Sequence, residues 1–366
     1  MRYRHHAGLL ATGAFLLMAC SGEDDADAPP EERAESEGQQ PRDPGTPEIV
    51  ARDLEVPWGI GFLPDGDALV TERDSGRVLR VGADGATQEI DTLDDVHAEG
   101  EGGLMGIAVS PQFTSDANVY LYYTTEDDNR VVRASYDEDD GLGDLEVVLE
   151  GIPNAGNHNG GRIAFGPDDA LYVGTGDAGD EALAQDESSL GGKILRVGLD
   201  GAPAAGNPFD NEVYTLGHRN VQGLAWNGDT LFATEFGPDV DDEVNMPEAG
   251  GNYGWPEMTG VAGDPEFIDP VITWEDVSEA SPSGAAVAGD ALWVAALRGE
   301  RLWRAPLAGE VGAPGEPEDF FTGEYGRLRT VVPTPEGNAL WVATSNTDGR
   351  GDPNDEDDVI LRIPLN

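Results

Sequence analysis

Thiols, amines and imidazoles are scarce in this chain. Cys20 is the only cysteine among 366 residues, which excludes an internal disulfide, a thiol nucleophile in a folded core and a multi-cysteine metal site. Lys193 is the only lysine, so the basic side chains are almost all arginine. Of five histidines, His5 and His6 fall in what reads as a targeting segment, leaving His97, His158 and His218. No two of those three lie close in sequence, as paired zinc ligands on one element would. There is no Gly-x-Ser-x-Gly elbow for a hydrolase, and no phosphate-cradling Gly-rich loop. Long amphipathic helical patterns are missing too. Positive charge is short overall: 21 Lys plus Arg against 72 Asp plus Glu give a net charge of −51. Such a field repels nucleic acid and anionic membranes, so neither is an expected partner, and it suits a solvated acidic surface.

What the chain has in quantity is turn chemistry, with 50 Gly and 25 Pro punctuating short apolar runs. One phrase recurs six times: apolar-x-x-Pro-x-Gly-x-Ala-Leu, a β-rich triplet, a polar loop and a closing strand. Examples are "GFLPDGDALVTERDSGRVLRV", "AAVAGDALWVAALRGERLWRA" and "VVPTPEGNALWVATSN". Taking Leu69, Tyr120, Leu171, Leu231, Leu292 and Leu340 as equivalent, the spacings are 51, 51, 60, 61 and 48 residues. A period near that length with four strands per unit predicts an all-β, six-bladed β-propeller with four-stranded blades. The segment "EIVARDLEVPWGI" is expected to supply the strand that closes the ring. Chance repetition within a β-sandwich is the competing fold. The seven tryptophans fall mostly at repeat positions and are assigned to blade packing.

The N-terminus reads as processed. A basic "MRYRHH", a short apolar run and "LMAC" make residues 1–19 a signal peptide. Leu-x-Ala-Cys resembles a bacterial lipobox, which implies lipidation of Cys20, an extracytoplasmic location and contact with a membrane only through that anchor. Residues 20–47, acidic and poor in large apolar side chains, are expected to form a flexible tether. The propeller is placed at residues 48–366.

In a propeller, function collects in irregular loops at one mouth of the channel. The inserts "AEGEGGLMG", "NAGNHNGGR", "YTLGHRNVQG", "RGER" and "GEYGRLR" hold most of the isolated His and Arg. By elimination the chemistry is a histidine general base, arginines that clamp an anion, and oxygen-rich turns able to hold calcium. A cluster made of Arg219, Arg298, Arg327 and Arg329 would be a local well for a multiply anionic ligand in so acidic a chain. His218 is expected to be a loop histidine bonded to backbone, and His97 a surface residue.

The phrases "EGEGGLMGIAVSPQF", "NHNGGRIAFGPDDALYVGTGD", "LGHRNVQGLAW", "EFGPDVDDEVN", "GGNYGWP", "RGERLWR" and "GRLR" together resemble the soluble sugar dehydrogenases that use pyrroloquinoline quinone (PQQ). They look like the aldose sugar dehydrogenase branch of the glucose/sorbosone dehydrogenase family, in order from about residue 48 to 366. The resemblance implies a six-bladed propeller that oxidises an aldose sugar at the anomeric carbon and passes electrons to an unspecified acceptor. It implies that His158 is the general base and Asp177 the acid that orients it. Arg219 and Asn220 correspond to cofactor contacts that stabilise its reduced form, with Gln222 in the same loop. Arg298, Arg327 and Arg329 correspond to partners of the PQQ carboxylates. Gly237 and Pro238 correspond to carbonyls holding calcium against the quinone, and Glu243 and the Tyr253 carbonyl to a second, structural calcium. Two positions depart from the pattern. Glu101 stands where many members have Gln, and Arg298 where some have Lys. Two other readings stand beside this one: a calcium-dependent propeller lactonase, and a non-catalytic propeller lipoprotein.

Overall fold

In the computed structural model the described residues are 41–308 and 312–366. Cys20, the signal peptide and the tether up to residue 40 lie outside them. The strands form six sheets, each built on a path of four antiparallel neighbours. Sheets two and five each gain one two-residue strand, Gly141–Leu142 and Ala313–Pro314. We number the sheets as blades 1 to 6, spanning 57–92, 104–152, 163–216, 221–274, 282–320 and 328–364. The expected six-bladed propeller is therefore the observed fold.

The repeat anchors explain why. Leu69, Tyr120, Leu171, Leu231, Leu292 and Leu340 each sit in the second strand of a blade, and all are buried. Second strands such as Ala291–Ala296 (ALWVAA) and Ala339–Thr344 (ALWVAT) are buried on both faces, which is why they read as continuous apolar runs rather than alternating ones. The outer strand Thr87–Thr92 (TQEIDT) is solvated instead. Closure is as expected: Glu48–Ala51 pairs antiparallel with Ile360–Pro364 as the outermost strand of blade 6. The chain engages the propeller slightly earlier than residue 48. Arg42 N–H donates to Gly289 O (3.0 Å) and Gly45 N–H to Pro364 O (2.7 Å).

At the axis the innermost strands nearly touch. A Cβ on Gly106 would lie 2.2 Å from Gly161 O, and one on Gly223 2.3 Å from Ser283 O, so neither position accepts a side chain. The second residues of five inner strands, Trp58, Met105, Gln222, Ser283 and Arg329, together with Arg162 just ahead of blade 3, form the axial floor. Arg162 stacks on Trp58 (4.2 Å) and donates through Nε to Gln222 O (2.8 Å). Antiparallel order puts the loops that enter inner strands and those that leave second strands at one end. That end carries the candidate site.

Candidate active site

His158 precedes the inner strand of blade 3, in the left-handed region at φ 55°. Its Nδ1 lies 2.7 Å from Asp177 Oδ1, which follows the second strand of the same blade. With Nδ1–H donating to the carboxylate, Nε2 is left as the acceptor for the cavity. Asp177 is held from three sides. Gly179 N–H donates to Oδ1 (2.8 Å) and Trp255 Nε1–H to Oδ2 (2.8 Å), beside the His158 contact. Burial pushes this carboxyl up, but those hydrogen bonds outweigh it and leave Asp177 below its ordinary value.

His158 opens on a cavity of about 400 Å³ lined also by Glu101, Arg219, Gly237, Pro238, Asp242, Arg298, Arg327 and Arg350. Four of these are guanidiniums. Arg219 is fixed by its own N–H on Glu235 Oε1 and by Nη1 on Phe236 O (3.3 Å), and stacks on Trp255 (5.3 Å). Arg298 is exposed at the rim and makes no ion pair among the described residues. Arg327 donates to Asp348 Oδ2 (2.9 Å), and Arg329 lies 3.7 Å from the same oxygen. Arg329 is not at the wall but beneath it, 4% exposed, bonded through Nη1 to Gln222 Oε1 (2.8 Å). Burial pulls the Arg329 guanidinium down. Three buried donors of this group, Arg219 Nε, Asn220 Nδ2 and Arg329 Nε, have no acceptor in the protein. A cavity with four cations on its wall and unmatched donors around it fits a polyanionic, oxygen-rich molecule.

Beside it, Glu235, Glu243 and Tyr253 meet Gly237 and Pro238 around a much smaller cavity. Asn245 Nδ2 bridges Glu243 Oε2 (3.2 Å) and Glu235 Oε2 (3.5 Å). Burial and the Glu235 carboxylate push Glu243 up, the signature of acids with too little positive charge nearby. Among the described residues no group of three or more His, Cys, Asp or Glu forms a metal cage. A cation here would therefore rely on main-chain oxygens as well, which suits calcium.

Residues 54–361 match the family described as Glucose / Sorbosone dehydrogenase. The chain belongs to that family. It is 52% identical to the PQQ-bound aldose sugar dehydrogenase of Streptomyces coelicolor, with a TM-score of 0.85 over 89% of this chain and 100% of that one. It is 32% identical to quinoprotein glucose dehydrogenase B of Acinetobacter calcoaceticus, over 59% of this chain and 53% of the relative. An aldose sugar dehydrogenase of Escherichia coli is also 32% identical, over 58% of this chain and 62% of the relative. The match thus spans little more than half the length of those two curated relatives.

Against this family pattern, the structure explains the glutamate departure. Glu101 Oε2 accepts the His158 N–H (3.0 Å) and Oε1 accepts Arg350 Nη1–H (2.9 Å). Burial pushes Glu101 up, yet these two donors hold it below its ordinary value. The carboxylate is neutralised by a residue the sequence reading overlooked. Asp348 and Asp242 were overlooked as well. Asp242 carboxylate oxygens accept Gly237 N–H (2.9 Å) and Ser281 N–H (2.7 Å) while burial pushes it up to about 6.

Two expectations are corrected. His218 is fully buried, and its ring partners are side chains rather than backbone: Glu235 Oε2 (2.8 Å), Thr215 Oγ1 (2.8 Å) and the stacked Tyr253 ring (4.8 Å). Trp255 is not a blade-packing residue but the donor that orients Asp177. His97 is a surface residue, as expected, 3.2 Å from Glu99.

Proposed function

We propose that the chain is a PQQ- and calcium-dependent dehydrogenase that oxidises an aldose at the anomeric carbon to the lactone. The observation that carries this is the His158–Asp177 dyad, 2.7 Å apart, facing a cavity walled by Arg219, Arg298, Arg327 and Arg350 in a chain of net charge −51. His158 Nε2 takes the proton of the anomeric hydroxyl, and Asp177 stabilises the imidazolium that forms. Gly179 and Trp255 keep Asp177 from swinging away as that charge appears. Arg298 and Arg327 would hold the PQQ carboxylates and Arg219 would border the ring system, while the buried Asn220, Gln222 and Arg329 would support that wall from behind. The carbonyls of Gly237 and Pro238 would hold one calcium, and Glu243 with the Tyr253 carbonyl a second. Bound PQQ with calcium would supply a two-electron acceptor for oxidation of the sugar carbon. Arginine at 298 supplies charge without demanding a matched acid in the protein.

The lactonase reading wants carboxylates and Asn converging on a metal, and the arginine wall favours the dehydrogenase instead. We place the protein outside the cytoplasm on a lipid at Cys20, with residues 1–19 as its signal and the acidic stretch after Cys20 as its tether. No described helix is long and apolar enough to cross a membrane. Adding PQQ and calcium to purified apoprotein is expected to give a bound quinone spectrum that bleaches on addition of an aldose. A flat spectrum at saturating cofactor refutes the proposal.

A further inference from the structure

The chain's single lysine is one of its least accessible residues. Lys193 begins the third strand of blade 3 (Lys193–Val197) and is 0% exposed. Its ammonium donates to three main-chain carbonyls: Leu183 O (2.6 Å), Gly191 O (2.7 Å) and Ala184 O (3.0 Å). No carboxylate lies within ion-pair distance of it among the described residues; Asp186 attracts it only from further away. Three carbonyls converging on one point suit the tetrahedral, compact ammonium and not the planar fork of arginine. All three belong to one excursion between the second and third strands of blade 3, which carries the four-residue helix Ala182–Gln185. So short a helix cannot hold itself, and its last carbonyls need outside donors. Lys193 supplies them for Leu183 and Ala184, sharing the second with the Gly217 N–H (2.9 Å).

That excursion leads directly to the dyad. The Gln185 side chain exchanges hydrogen bonds with Asn252 (3.0 and 2.8 Å) and donates to Trp255 O (2.7 Å). Trp255 Nε1–H in turn donates to Asp177 Oδ2 (2.8 Å), and Asp177 Oδ1 meets His158 Nδ1. We infer that Lys193 is an internal positioning cation: it pins the 180–191 excursion and, through Gln185 and Trp255, keeps Asp177 in register with His158. The inference rests on the reading of His158 as the base. It adds two residues, Lys193 and Gln185, that never touch a substrate.

Because Lys193 is the only side-chain amine, an amine-selective acylating reagent followed by peptide mass spectrometry reads the opening of this one cradle. The deciding variant is Gln185→Leu, which cuts the relay and leaves the ammonium in place. We expect it to fold, to keep Lys193 protected from acylation, and to bind PQQ with a Kd within about threefold of wild type. Its kcat is expected to fall about tenfold or more, a fraction of a general base's full contribution. In apoprotein NMR the His158 Nδ1–H resonance, assigned by its loss in His158→Gln, is expected to broaden or vanish. Lys193→Met should expose the excursion and show the same loss, and Lys193→Arg should not rescue it. If Lys193→Met does not fold, Gln185→Leu decides alone. A Gln185→Leu protein that melts earlier but keeps the Nδ1–H resonance and the kcat would reduce the network to a structural role and overturn the inference. Should the wild type bind no PQQ, the proposed function fails. The resonance, which needs no cofactor, would still decide whether this relay sets the dyad.

Discussion

Replacing Asp177 by asparagine probes the dyad with almost no change in shape. The carboxylate accepts three N–H groups, from His158 Nδ1, Gly179 and Trp255 Nε1. An amide has one oxygen and one NH2, so it cannot serve both sides. If the oxygen stays on His158 and Gly179, the NH2 confronts the Trp255 N–H and a buried hydrogen bond becomes a repulsion. If it turns toward Trp255, the NH2 faces His158 and forces the tautomer that carries its proton on Nε2. That tautomer cannot accept the proton of a sugar hydroxyl. Either way the negative charge that would stabilise the imidazolium is gone. A loss of about 10²–10⁴ in kcat is expected, or roughly 3–5 kcal/mol in the barrier. The arginine wall is untouched, so the spectral Kd for PQQ should stay within about threefold, because Asp177 acts on the base and not on the cofactor. The assay is stopped-flow reduction of an artificial acceptor at saturating PQQ, calcium and aldose. His158→Gln should fall into the same range, and the double variant should be little worse than either single one. Wild-type kcat in Asp177→Asn would show that His158 needs no oriented partner and would sink the assignment.

The arginines make a second test: Arg329→Ala, which removes the cation beneath the wall, is expected to weaken PQQ binding about tenfold, the low end of one charge-assisted contact. Arg327→Ala should do the same and also lower the apoprotein melting temperature, since it strands the buried Asp348; unchanged affinity in both would reduce them to internal ion pairs. For the mouth pair, Arg350→Ala should weaken PQQ binding by leaving Glu101 uncompensated, and adding Glu101→Gln should restore most of it. Additive losses in that cycle would mean the two residues do not act on each other. Glu101, Asp177 and Asp348 all sit below their ordinary values in the fold. Their contribution is present above the unfolded carboxyl value, about 4, and is lost as pH falls through the lower folded values. Urea unfolding from pH 6 down to 3 should show this decline, and Asp348→Asn should flatten it; an unchanged slope would remove Asp348 from the account. Finally, Cys20→Ser is expected to move the protein from the membrane fraction to the soluble one, and continued sedimentation after a salt wash would refute the lipid anchor.

The repeat was legible because a strand buried on both faces leaves a plain mark, an unbroken apolar run at a fixed period, as at Leu292 and Leu340. The dyad was legible through family phrases that keep His158 and Asp177 within 19 residues of each other. Compensation across the ring was not. Arg350 and Glu101 are 249 positions apart, Arg329 and Gln222 107, and Trp255 and Asp177 78. The first two pairs meet because the blades close into a circle and the third because neighbouring blades share the mouth, and nothing local in "TDGRGD" or "GGNYGWP" says which distant acid the residue faces. His218 was misplaced for a related reason. A polar loop phrase hides a side chain that the fold buries between Glu235 and Tyr253. Lys193 sits inside the repeat phrase itself, where it reads as one more strand residue.

The strand Glu48–Ala51, paired to Ile360–Pro364, sets an order of events during synthesis. The first piece of the propeller to leave the ribosome is the last to find its partner, because that partner lies more than three hundred residues behind it. Until the final blade emerges, five blades stand as an open arc whose two end blades each leave an apolar face uncovered, able to stick to a neighbouring chain. A long-range closure of this kind makes folding slow. The many like charges on the outer strands then act as a safeguard in time, keeping half-made arcs apart until each circle shuts on itself.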